Sequence, residues 1–267
     1  MENQAKTGLV IVTGGLRGIG AAAARALSER GQGVVVIDLA AATTAQPETP
    51  SNIVAHDEPV DVSDETMVAR SCETIERRHG PVSGLVNAAG ILGKMHPPHR
   101  LALADWDREI AVDLRGTFVM CREVGTRMCR RQRGAIVNVA SVVGMLSAPV
   151  HGYAPAKAGV ISLTATLAAE WGPFGVRVNC VSPGFTDTPA LARGLETGAL
   201  DQDNLKGATA LRRLVNPREV AAAIVWLLSD EASGVTGANL PVDAGFLVGV
   251  PWQAYGGLRA VSPDRSV

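Results

Sequence analysis

The feature that most constrains the fold is a glycine-rich turn between an apolar run and an alanine-rich segment. Residues 9–12 form an uninterrupted apolar run, which is typical of a parallel strand covered on both faces. Residues 13–20 contain four glycines, and residues 21–30 predict a helix. Glycines at this point let a pyrophosphate approach the backbone, where the start of the helix supplies free N–H groups. The sequence therefore predicts a nucleotide-binding α/β fold. The residues expected at the phosphates are Gly14, Arg17, Gly18, Ile19 and Gly20.

An acidic residue follows the next apolar run. Residues 34–37 predict a second strand, and Asp38 stands directly after it, eighteen positions beyond Gly20. A carboxylate there accepts hydrogen bonds from both ribose hydroxyls of an adenosine and repels a 2′-phosphate, which favours NAD. Arg17 favours NADP, because a guanidinium in the glycine turn can pair with a 2′-phosphate. We give Asp38 more weight, since a charge at the strand end lies closer to the ribose. NAD is the predicted cofactor, with NADP less favoured.

A second acidic residue follows the third predicted strand, which we place around residues 55–60. Asp61 is expected at the same edge of the sheet, with Val62 beside it. Its carboxylate can bind the adenine amino group of the cofactor. It can equally cap the helix predicted to start near Ser63 and to end near His79. The residues alone leave both roles open.

Small residues follow the fourth predicted strand, residues 84–86. The segment Asn87-Ala88-Ala89-Gly90 leaves room for a ribose against the backbone, and the amide of its asparagine can hold the adjoining loop. The loop over residues 91–104 contains His96 and His99. Nothing near them supplies further ligands at a suitable spacing, so the sequence predicts no metal site.

A long helix is predicted over residues 106–131, with Asp105 as its N-cap. Residues 130–133 are rich in arginine and precede Gly134, which is typical of a helix C-terminus, where basic side chains lie near the last carbonyls. We interpret these arginines as helix-capping residues and not as a nucleic-acid surface. Asp113 lies within this helix on a turn that faces the core, where an acid is rarely unpaired.

Three polar residues after the fifth predicted strand, residues 135–140, carry the predicted chemistry. Ser141 directly follows that strand, at the sheet edge where open α/β sheets bind ligands. Tyr153 and Lys157 stand four residues apart at the start of an apolar helix, which places them on one face, about 6 Å apart at Cβ. A nearby ammonium favours the phenolate and lowers the tyrosine pKa. A hydroxyl, a phenol and an ammonium suit proton transfer at an alcohol or a carbonyl.

A long connection follows the sixth predicted strand, residues 176–181. It covers residues 186–215, and loops of this length in compact domains are usually lids or binding loops. A helix then begins at Asn216, with a proline in its first turn and a glutamate three residues on. The side chains expected to border the substrate are mostly apolar and slightly favour a non-sugar alcohol. They are Val142, Val143, His151, Phe185 and Leu191.

Composition indicates one soluble domain over residues 1–267. The net charge is −1 without a basic stripe, so we predict no nucleic-acid partner and no binding to anionic membranes. Residues 1–7 lack the apolar core of a signal peptide, and no uncharged apolar run approaches the roughly 20 residues of a membrane span. The four cysteines form no Cys-x-x-Cys pair, which suits reduced thiols. We expect a cytoplasmic protein.

Taken together, these motifs resemble the short-chain dehydrogenase/reductase family, in its common single-domain branch, over roughly residues 8–247. A tail, residues 248–267, follows. The resemblance implies a Rossmann-type doubly wound parallel sheet of about seven strands flanked by helices. The matching residues are Thr13, Gly14, Gly18, Gly20, Asp61, Asn87 to Gly90, Ser141, Tyr153, Lys157, Pro183, Gly184 and Val242 to Gly245.

The resemblance also implies the roles of the site residues. Tyr153 would be the catalytic acid/base, and Ser141 would orient the substrate oxygen. Lys157 would bind the nicotinamide ribose and lower the tyrosine pKa. Thr188 would contact the nicotinamide carboxamide. The implied cofactor contacts in this segment are Pro183, Gly184, Thr186 and Thr188.

The chain departs from the family at one of these positions. Members usually have an asparagine where this chain has Asp113, and that asparagine helps to hold a water relay leading to the lysine. An ionised aspartate accepts hydrogen bonds but cannot donate them, and it can stabilise the charged form of the lysine. We expect catalysis to survive, because the relay contact can also run through the main chain.

The predicted protein is an NAD-dependent enzyme that transfers hydride between nicotinamide and a secondary alcohol or ketone. An NADPH-dependent reductase of 3-oxoacyl thioesters is an alternative that Arg17 would favour. A non-catalytic nucleotide-binding scaffold is another, because fold does not fix function. The helices predicted over residues 106–131 and 153–171 resemble those that pair subunits in the family, so we expect a homotetramer or a dimer.

Overall fold

A parallel sheet forms the centre of the molecule. The computed structural model describes residues 8–40 and 51–259. The strands in these ranges are β1 (Leu9–Thr13), β2 (Gly33–Ile37), β3 (Ile53–Ala55), β4 (Val82–Asn87), β5 (Gly134–Val139), β6 (Val176–Pro183) and β7 (Asn239–Val242). Their order is β3-β2-β1-β4-β5-β6-β7, and every pair is parallel. The order reverses between β1 and β4, which opens the crevice where such sheets bind ligands. The predicted fold class is confirmed.

Helices cover both faces of the sheet. They are α1 (Gly18–Glu29), α2 (Glu65–His79), α3 (Leu103–Ile110), α4 (Thr117–Arg130), α5 (Tyr153–Trp171), α6 (Pro189–Glu196), α7 (Gln202–Ala208), α8 (Pro217–Leu228) and α9 (Phe246–Gly249). Short 3₁₀ turns occur at Pro98–Arg100, Val142–Gly144, Gly172–Phe174, Asp230–Ala232 and Val250–Tyr255. No helix in the described ranges combines the length and apolar character that crossing a membrane requires.

The apolar strands explain why the sheet is covered on both sides. Successive residues of a strand point to opposite faces, so Ile11 and Val12 of β1, both fully buried, belong to different core clusters. The Ile11 cluster includes residues of α2, α4 and α5, and the Val12 cluster includes residues of α1 and α8. The four cysteines, three in helices and one in a strand, are free thiols, as predicted.

The third strand is shorter and earlier than predicted. It covers Ile53–Ala55 instead of residues around 55–60. The N–H of His56 still donates to Val36 at 2.8 Å, but residues 57–59 are exposed. The next N–H that reaches this strand edge is that of Val60, which donates to the Asp38 carbonyl at 2.8 Å, so residues 57–59 lie outside the pairing.

The long predicted helix is interrupted. Between α3 and α4, residues Ala111–Gly116 form a π-helical turn that contains Asp113. The helix starts at Leu103 with Ala102 as its N-cap, so the prediction that Asp105 is the cap is wrong. Asp105 lies in the first turn and pairs with Lys94 at 3.0 Å.

The connection over residues 186–215 has secondary structure of its own. It contains α6, which Thr188 caps by accepting the N–H of Leu191 at 3.4 Å, and α7. The segment predicted as one long connection is therefore partly helical. The predicted capping box of α8 is present, with Asn216 and Glu219 as its partners.

Candidate active site

The carboxyl edge of the sheet brings Ser141, Tyr153 and Lys157 together. Ser141 is buried directly after β5, and its hydroxyl accepts the N–H of Val143 at 3.3 Å. Tyr153 is the first residue of α5, and Lys157 lies one turn further along the same helix. The Lys157 Nζ lies 5.3 Å from the centroid of the Tyr153 ring and donates to the carbonyl of Val139 at 2.9 Å. The predicted convergence is present.

Burial dominates the electrostatics of the phenol. It raises the pKa of Tyr153 above its ordinary value, and the carboxylate of Asp113 adds to that rise. The Lys157 ammonium and a hydrogen bond with Ser141 lower the pKa of Tyr153. Lys157 thus acts in the predicted direction, but the net shift is upward. The direction predicted for Lys157 is confirmed, and desolvation of the phenolate is the larger, opposing effect.

Asp113 pairs with Lys157 inside the protein. Its Oδ1 lies 3.6 Å from the Lys157 Nζ and accepts the N–H of Ile91 at 3.0 Å, while Oδ2 has no hydrogen-bond partner among the described residues. A Cβ on Gly90 would lie 2.5 Å from Oδ1, so the glycine gives this carboxylate its space. Burial raises the pKa of Asp113, and Lys157 opposes that rise. The predicted pairing of this buried acid is observed.

A second buried acid, Glu109, was not identified from the sequence. It lies on α3, one helical turn before Asp113, and is only 3% exposed. Its Oε2 has no hydrogen-bond partner within the described part of the chain. Burial raises the pKa of Glu109, and the backbone N–H of Tyr153 opposes the rise. The four-residue spacing to Asp113 was the available signal, because positions i and i+4 share a helix face.

The glycine turn fits a pyrophosphate. Gly14 and Gly18 have φ values of 63° and 58°, in a region that side chains with a Cβ rarely adopt. The N-cap of α1, Arg17, forms no side-chain hydrogen bond to this helix, and its first turn contains no acidic residue, so its N–H groups can receive an anion. A Cβ on Gly18 would be in van der Waals contact with the Thr188 side chain, at 3.7 Å, so Thr188 lies directly opposite the glycine turn. Ile19 packs against the core and Gly20 against Gly14.

Asp38 lies beside the glycine turn, as predicted. It follows β2 and is partly exposed. One carboxylate oxygen accepts the N–H of Leu16 at 3.3 Å, and the other accepts the N–H of Ala40 at 3.3 Å. Arg17 is exposed on the same turn. The carboxylate that favours NAD and the guanidinium that favours NADP therefore lie on neighbouring segments.

Asp61 does not cap the next helix. Its Oδ1 accepts the N–H and the hydroxyl of Ser63 at 2.9 and 2.7 Å, and its Oδ2 pairs with Arg108 at 3.0 Å. Asp64 caps α2 by accepting two backbone N–H groups. The capping alternative is therefore wrong, and the adenine alternative stays a prediction.

Asn87 does not hold the loop that follows β4. It is buried, and its amide donates to Asn138 at 2.9 Å and to the Cys121 Sγ at 3.2 Å, which joins β4 to β5. Thr13 holds the loop instead, because its hydroxyl accepts the N–H groups of Ala88 and Ala89 at 3.0 and 2.9 Å.

The other residues predicted for the site lie near the carboxyl edge of the sheet. Val62 is buried against Gly116, and Pro183 ends β6. The carbonyl of His151 accepts the indole N–H of Trp106 at 3.2 Å. Gly184 lies close to the backbone of Asp243, and the Thr186 hydroxyl donates to the Gly184 carbonyl at 2.9 Å. The described residues contain no cluster of His, Cys, Asp and Glu that could hold a metal ion.

Comparisons with known proteins agree with this architecture. A family model described as enoyl-(acyl carrier protein) reductase matches residues 14–247. D-threitol dehydrogenase of Mycolicibacterium smegmatis is 37% identical over 250 residues, which are 90% of this chain and 93% of that protein. A crystal structure described as ribose-5-phosphate isomerase from Brucella melitensis is 49% identical, with a TM-score of 0.89 and coverage of 95% and 97%. A structure of ElxO with NADP bound is 26% identical, with a TM-score of 0.84 and coverage of 91% and 99%.

Proposed function

The chain belongs to the short-chain dehydrogenase/reductase family, and from that premise we propose that it is an NAD-dependent oxidoreductase acting on a secondary alcohol or ketone. The relatives are named dehydrogenases and reductases, which supports an oxidoreductase that uses a nicotinamide cofactor. The observation that carries the proposal is the convergence of Ser141, Tyr153 and Lys157 at the same edge of the sheet as the glycine turn. These residues supply a proton donor and acceptor for the oxygen of the substrate, and the carbon that bears this oxygen exchanges the hydride.

In the proposed reaction, each of the three polar residues would have a different role. The bound nicotinamide supplies the hydride acceptor or donor. The Tyr153 phenol exchanges the proton of the substrate oxygen, and the Ser141 hydroxyl holds that oxygen beside the phenol. Lys157 holds a cofactor ribose and supplies the positive charge that limits the rise of the Tyr153 pKa. The protonated phenol suits donation to a carbonyl, and the phenolate suits acceptance from an alcohol.

We infer NAD as the preferred cofactor from the place of Asp38. Its carboxylate is anchored by the N–H of Leu16, in the glycine turn, where it would meet the adenosine ribose and repel a 2′-phosphate. Arg17 on that turn favours NADP, and ElxO, a structural neighbour, binds NADP. The substrate panel described below therefore includes NADP(H) beside NAD(H).

The first alternative reaction is reduction of an acyl thioester with NADPH. The description of the matching family model and the exposed Arg17 favour it. An acyl chain needs an apolar channel, and Val143, Phe185 and Leu191 are the apolar residues expected to line the substrate side. A thioester that is reduced with NADPH faster than any ketone would replace the proposed substrate class.

The second alternative is isomerisation of a sugar phosphate, which the description of the Brucella structure favours. The described residues around Tyr153 include two buried carboxylates, Glu109 and Asp113, and one buried ammonium, Lys157. This charge balance opposes a phosphate dianion. We therefore rank isomerisation below oxidation and reduction.

We also propose a cytoplasmic homotetramer. The four free thiols suit a reducing compartment. Phe118 on α4 is 40% exposed, which suits a helix that packs against a neighbouring subunit. Light scattering on the purified protein measures the oligomeric state, and a monomer at assay concentration would contradict the proposed homotetramer.

The deciding experiment is a substrate panel with both cofactors. Secondary alcohols, polyols and ketones are supplied with NAD(H) and NADP(H), together with an oxoacyl thioester, and reduced cofactor is followed by absorbance. Ribose 5-phosphate is supplied without cofactor, and its conversion to a ketose is measured. We expect turnover of an alcohol–ketone pair with higher kcat/KM for NAD. Binding of NADH without turnover of any compound would favour the scaffold alternative.

A further inference from the structure

Glu109 is a buried acidic residue next to the start of α5. It carries an ionisable group, yet it is 3% exposed and its Oε2 has no partner among the residues described. An unpaired buried carboxylate opposes folding. No ion pair with Glu109 is present in the described ranges either. Its burial therefore calls for a role other than stabilisation of the core.

The surroundings of Glu109 leave room for its carboxylate and for little else. A Cβ on Gly93 would overlap the carboxylate, and a Cβ on Gly152 would lie 2.6 Å from Oε2. Gly93 belongs to the loop after β4, and Gly152 directly precedes α5. The carboxylate therefore lies between a loop at the cleft and the start of the helix that carries Tyr153 and Lys157.

At the start of α5, the Ala154 N–H donates to the carbonyl of Val150 at 2.9 Å and Pro155 has no N–H, which leaves the N–H of Tyr153 for an acceptor from outside the helix. Its N-cap is Gly152, which has no side chain, and its first turn contains no acidic residue. The first N–H groups of a helix have no partner within the helix, and a carboxylate near them is stabilising. The backbone N–H of Tyr153 favours the ionised form of Glu109. The Glu109 carboxylate lies against Gly152, which is the place where an N-cap side chain would act.

A second contact joins α3 to the same place. The indole N–H of Trp106 donates to the carbonyl of His151 at 3.2 Å. Trp106 and Glu109 are three residues apart, so they share a face of α3. Trp106 thus holds the carbonyl of His151, and the Glu109 carboxylate lies beside Gly152 in the same segment.

We propose that Glu109 is a positioning residue that caps α5 from the neighbouring helix and fixes the Tyr153 phenol in the cleft. Gly93 and Gly152 provide the space that its carboxylate requires. This inference rests on the proposed function, in which Tyr153 exchanges the substrate proton. It makes the orientation of Tyr153 depend on a residue that touches neither substrate nor cofactor.

The charges around Glu109 set the sign of its effect on stability. Asp105 and Asp113 on its own side of the fold raise its pKa, as burial does; Asp105 is paired with Lys94 and Asp113 with Lys157. From α5, the Tyr153 N–H lowers it. A raised folded-state pKa means that the protonated form stabilises folding and that this stability is lost as the pH rises through that pKa. Glu109→Gln, which resembles the protonated form, is therefore expected to keep or raise the Tm at neutral pH.

The test reads Tyr153 directly. The chain has two tyrosines, Tyr153 and Tyr255, and Tyr255 is 87% exposed. With tyrosine labelled at Cζ in a Tyr255→Phe background, the single carbon signal reports Tyr153 in the full-length protein. We expect Glu109→Leu to move this signal and its titration, and Glu109→Gln to move both less, because the amide still offers an acceptor.

Kinetics provide the second readout. We expect the kcat of Glu109→Leu to fall about ten-fold or more, as for a displaced reacting group, and NADH affinity to be unchanged. Glu76→Gln is the matched control, because Glu76 is also largely buried and accepts the N–H of Val82 at 3.0 Å, but it pairs with Arg131 at 2.9 Å. This control should lower the Tm and leave both the Tyr153 signal and kcat unchanged.

Three results would overturn the proposal. One is a Tyr153 signal that does not move in either Glu109 variant. This measurement does not require activity, so it remains valid even if the wild type oxidises no alcohol and the proposed function fails. Another is an unchanged kcat in both variants of an active enzyme. The third is a fall in kcat that merely follows a fall in Tm. If Glu109→Leu does not fold, Glu109→Gln decides by the same criteria.

Discussion

The two ends of the cleft are built from different groups. At the glycine turn, the working parts are the backbone N–H groups at the start of α1 and the positive φ angles of Gly14 and Gly18. At the other end, the working parts are side chains, and Lys157 and Asp113 are both buried. Cofactor binding at the glycine turn should therefore be weakened by added atoms, whereas turnover at the other end should be lowered by the loss of a single functional group. Mutations can separate these two sensitivities.

The largest effect is expected at the side-chain end. Tyr153→Phe removes the only group proposed to exchange the substrate proton, so we expect kcat to fall by roughly 10³-fold, within the range for general acid–base catalysis. NADH affinity should stay unchanged, because the glycine turn is intact. Stopped-flow or steady-state assays and fluorescence titration measure the two quantities. Retained turnover would rule out the proposed mechanism.

At the backbone end, an added methyl group should weaken cofactor binding. A Cβ on Gly14 would lie 2.8 Å from the Ala89 Cα, and its φ is +63°. The turn can relax away from this φ, whose cost is roughly 1–2 kcal/mol, only by moving its N–H groups away from the phosphates, so we expect Gly14→Ala to raise the Kd for NADH about five- to thirty-fold. Gly80→Ala is the control, because Gly80 also has a positive φ, +92°, but no atom lies within 4 Å of its added Cβ. An equal loss of affinity in both variants would contradict the comparison.

A smaller effect is expected where a side chain helps the backbone end. Asp38→Ser removes the carboxylate that repels a 2′-phosphate and leaves Arg17 in place. The ratio of kcat/KM for NAD to that for NADP should fall about ten-fold, the size of one lost charge interaction near the surface. Asp57→Ser, which removes an exposed carboxylate paired with Arg78, should leave the ratio unchanged. An unaltered ratio in Asp38→Ser would mean that Asp38 does not set the cofactor preference.

The smallest effect on turnover is expected at Asp113. We expect Asp113→Asn to change kcat by less than about ten-fold, because the amide can still accept the N–H of Ile91. A rise of orders of magnitude would instead mean that the native relay through Asp113 is impaired.

The pH dependence of stability sharpens this prediction for Asp113. Burial raises its folded-state pKa, so its proton stabilises the fold fully below the ordinary aspartate pKa of about 4 and ceases to do so as the pH rises through the raised value. The Tm of the wild type minus that of Asp113→Asn should therefore decrease from acid to neutral pH. Calorimetry measures it, and a difference that grows with pH would contradict the assigned shift.

Local signals explain what could be read from the sequence. The bounds of α5, Tyr153–Trp171, and the capping box of α8 were predicted correctly, because apolar runs, caps and prolines act within a few residues. The π-helical turn Ala111–Gly116 was not predicted. It lies where Asp113 meets Lys157, a contact between segments that are distant in the chain.

The same limit applies to the missed site residue. Glu109 lies in a helix whose pattern suits an exposed acid, and its burial arises in the tertiary structure, where Gly93 and Gly152 lie against its carboxylate. Likewise, the sequence could place Thr13 in the glycine turn but not show that its hydroxyl, instead of Asn87, holds the loop after β4. These roles depend on atoms brought together by strand order.

The sequence by itself determined the fold class, the glycine turn and the identity of the three polar residues at the sheet edge. Each of these follows from residue type and short spacing. The tertiary structure alone decided the direction of the Tyr153 pKa shift, the burial of Glu109 and the pairing of Asp113. The physical reason is that desolvation sums over every segment packed around a group, and chain order does not contain that sum.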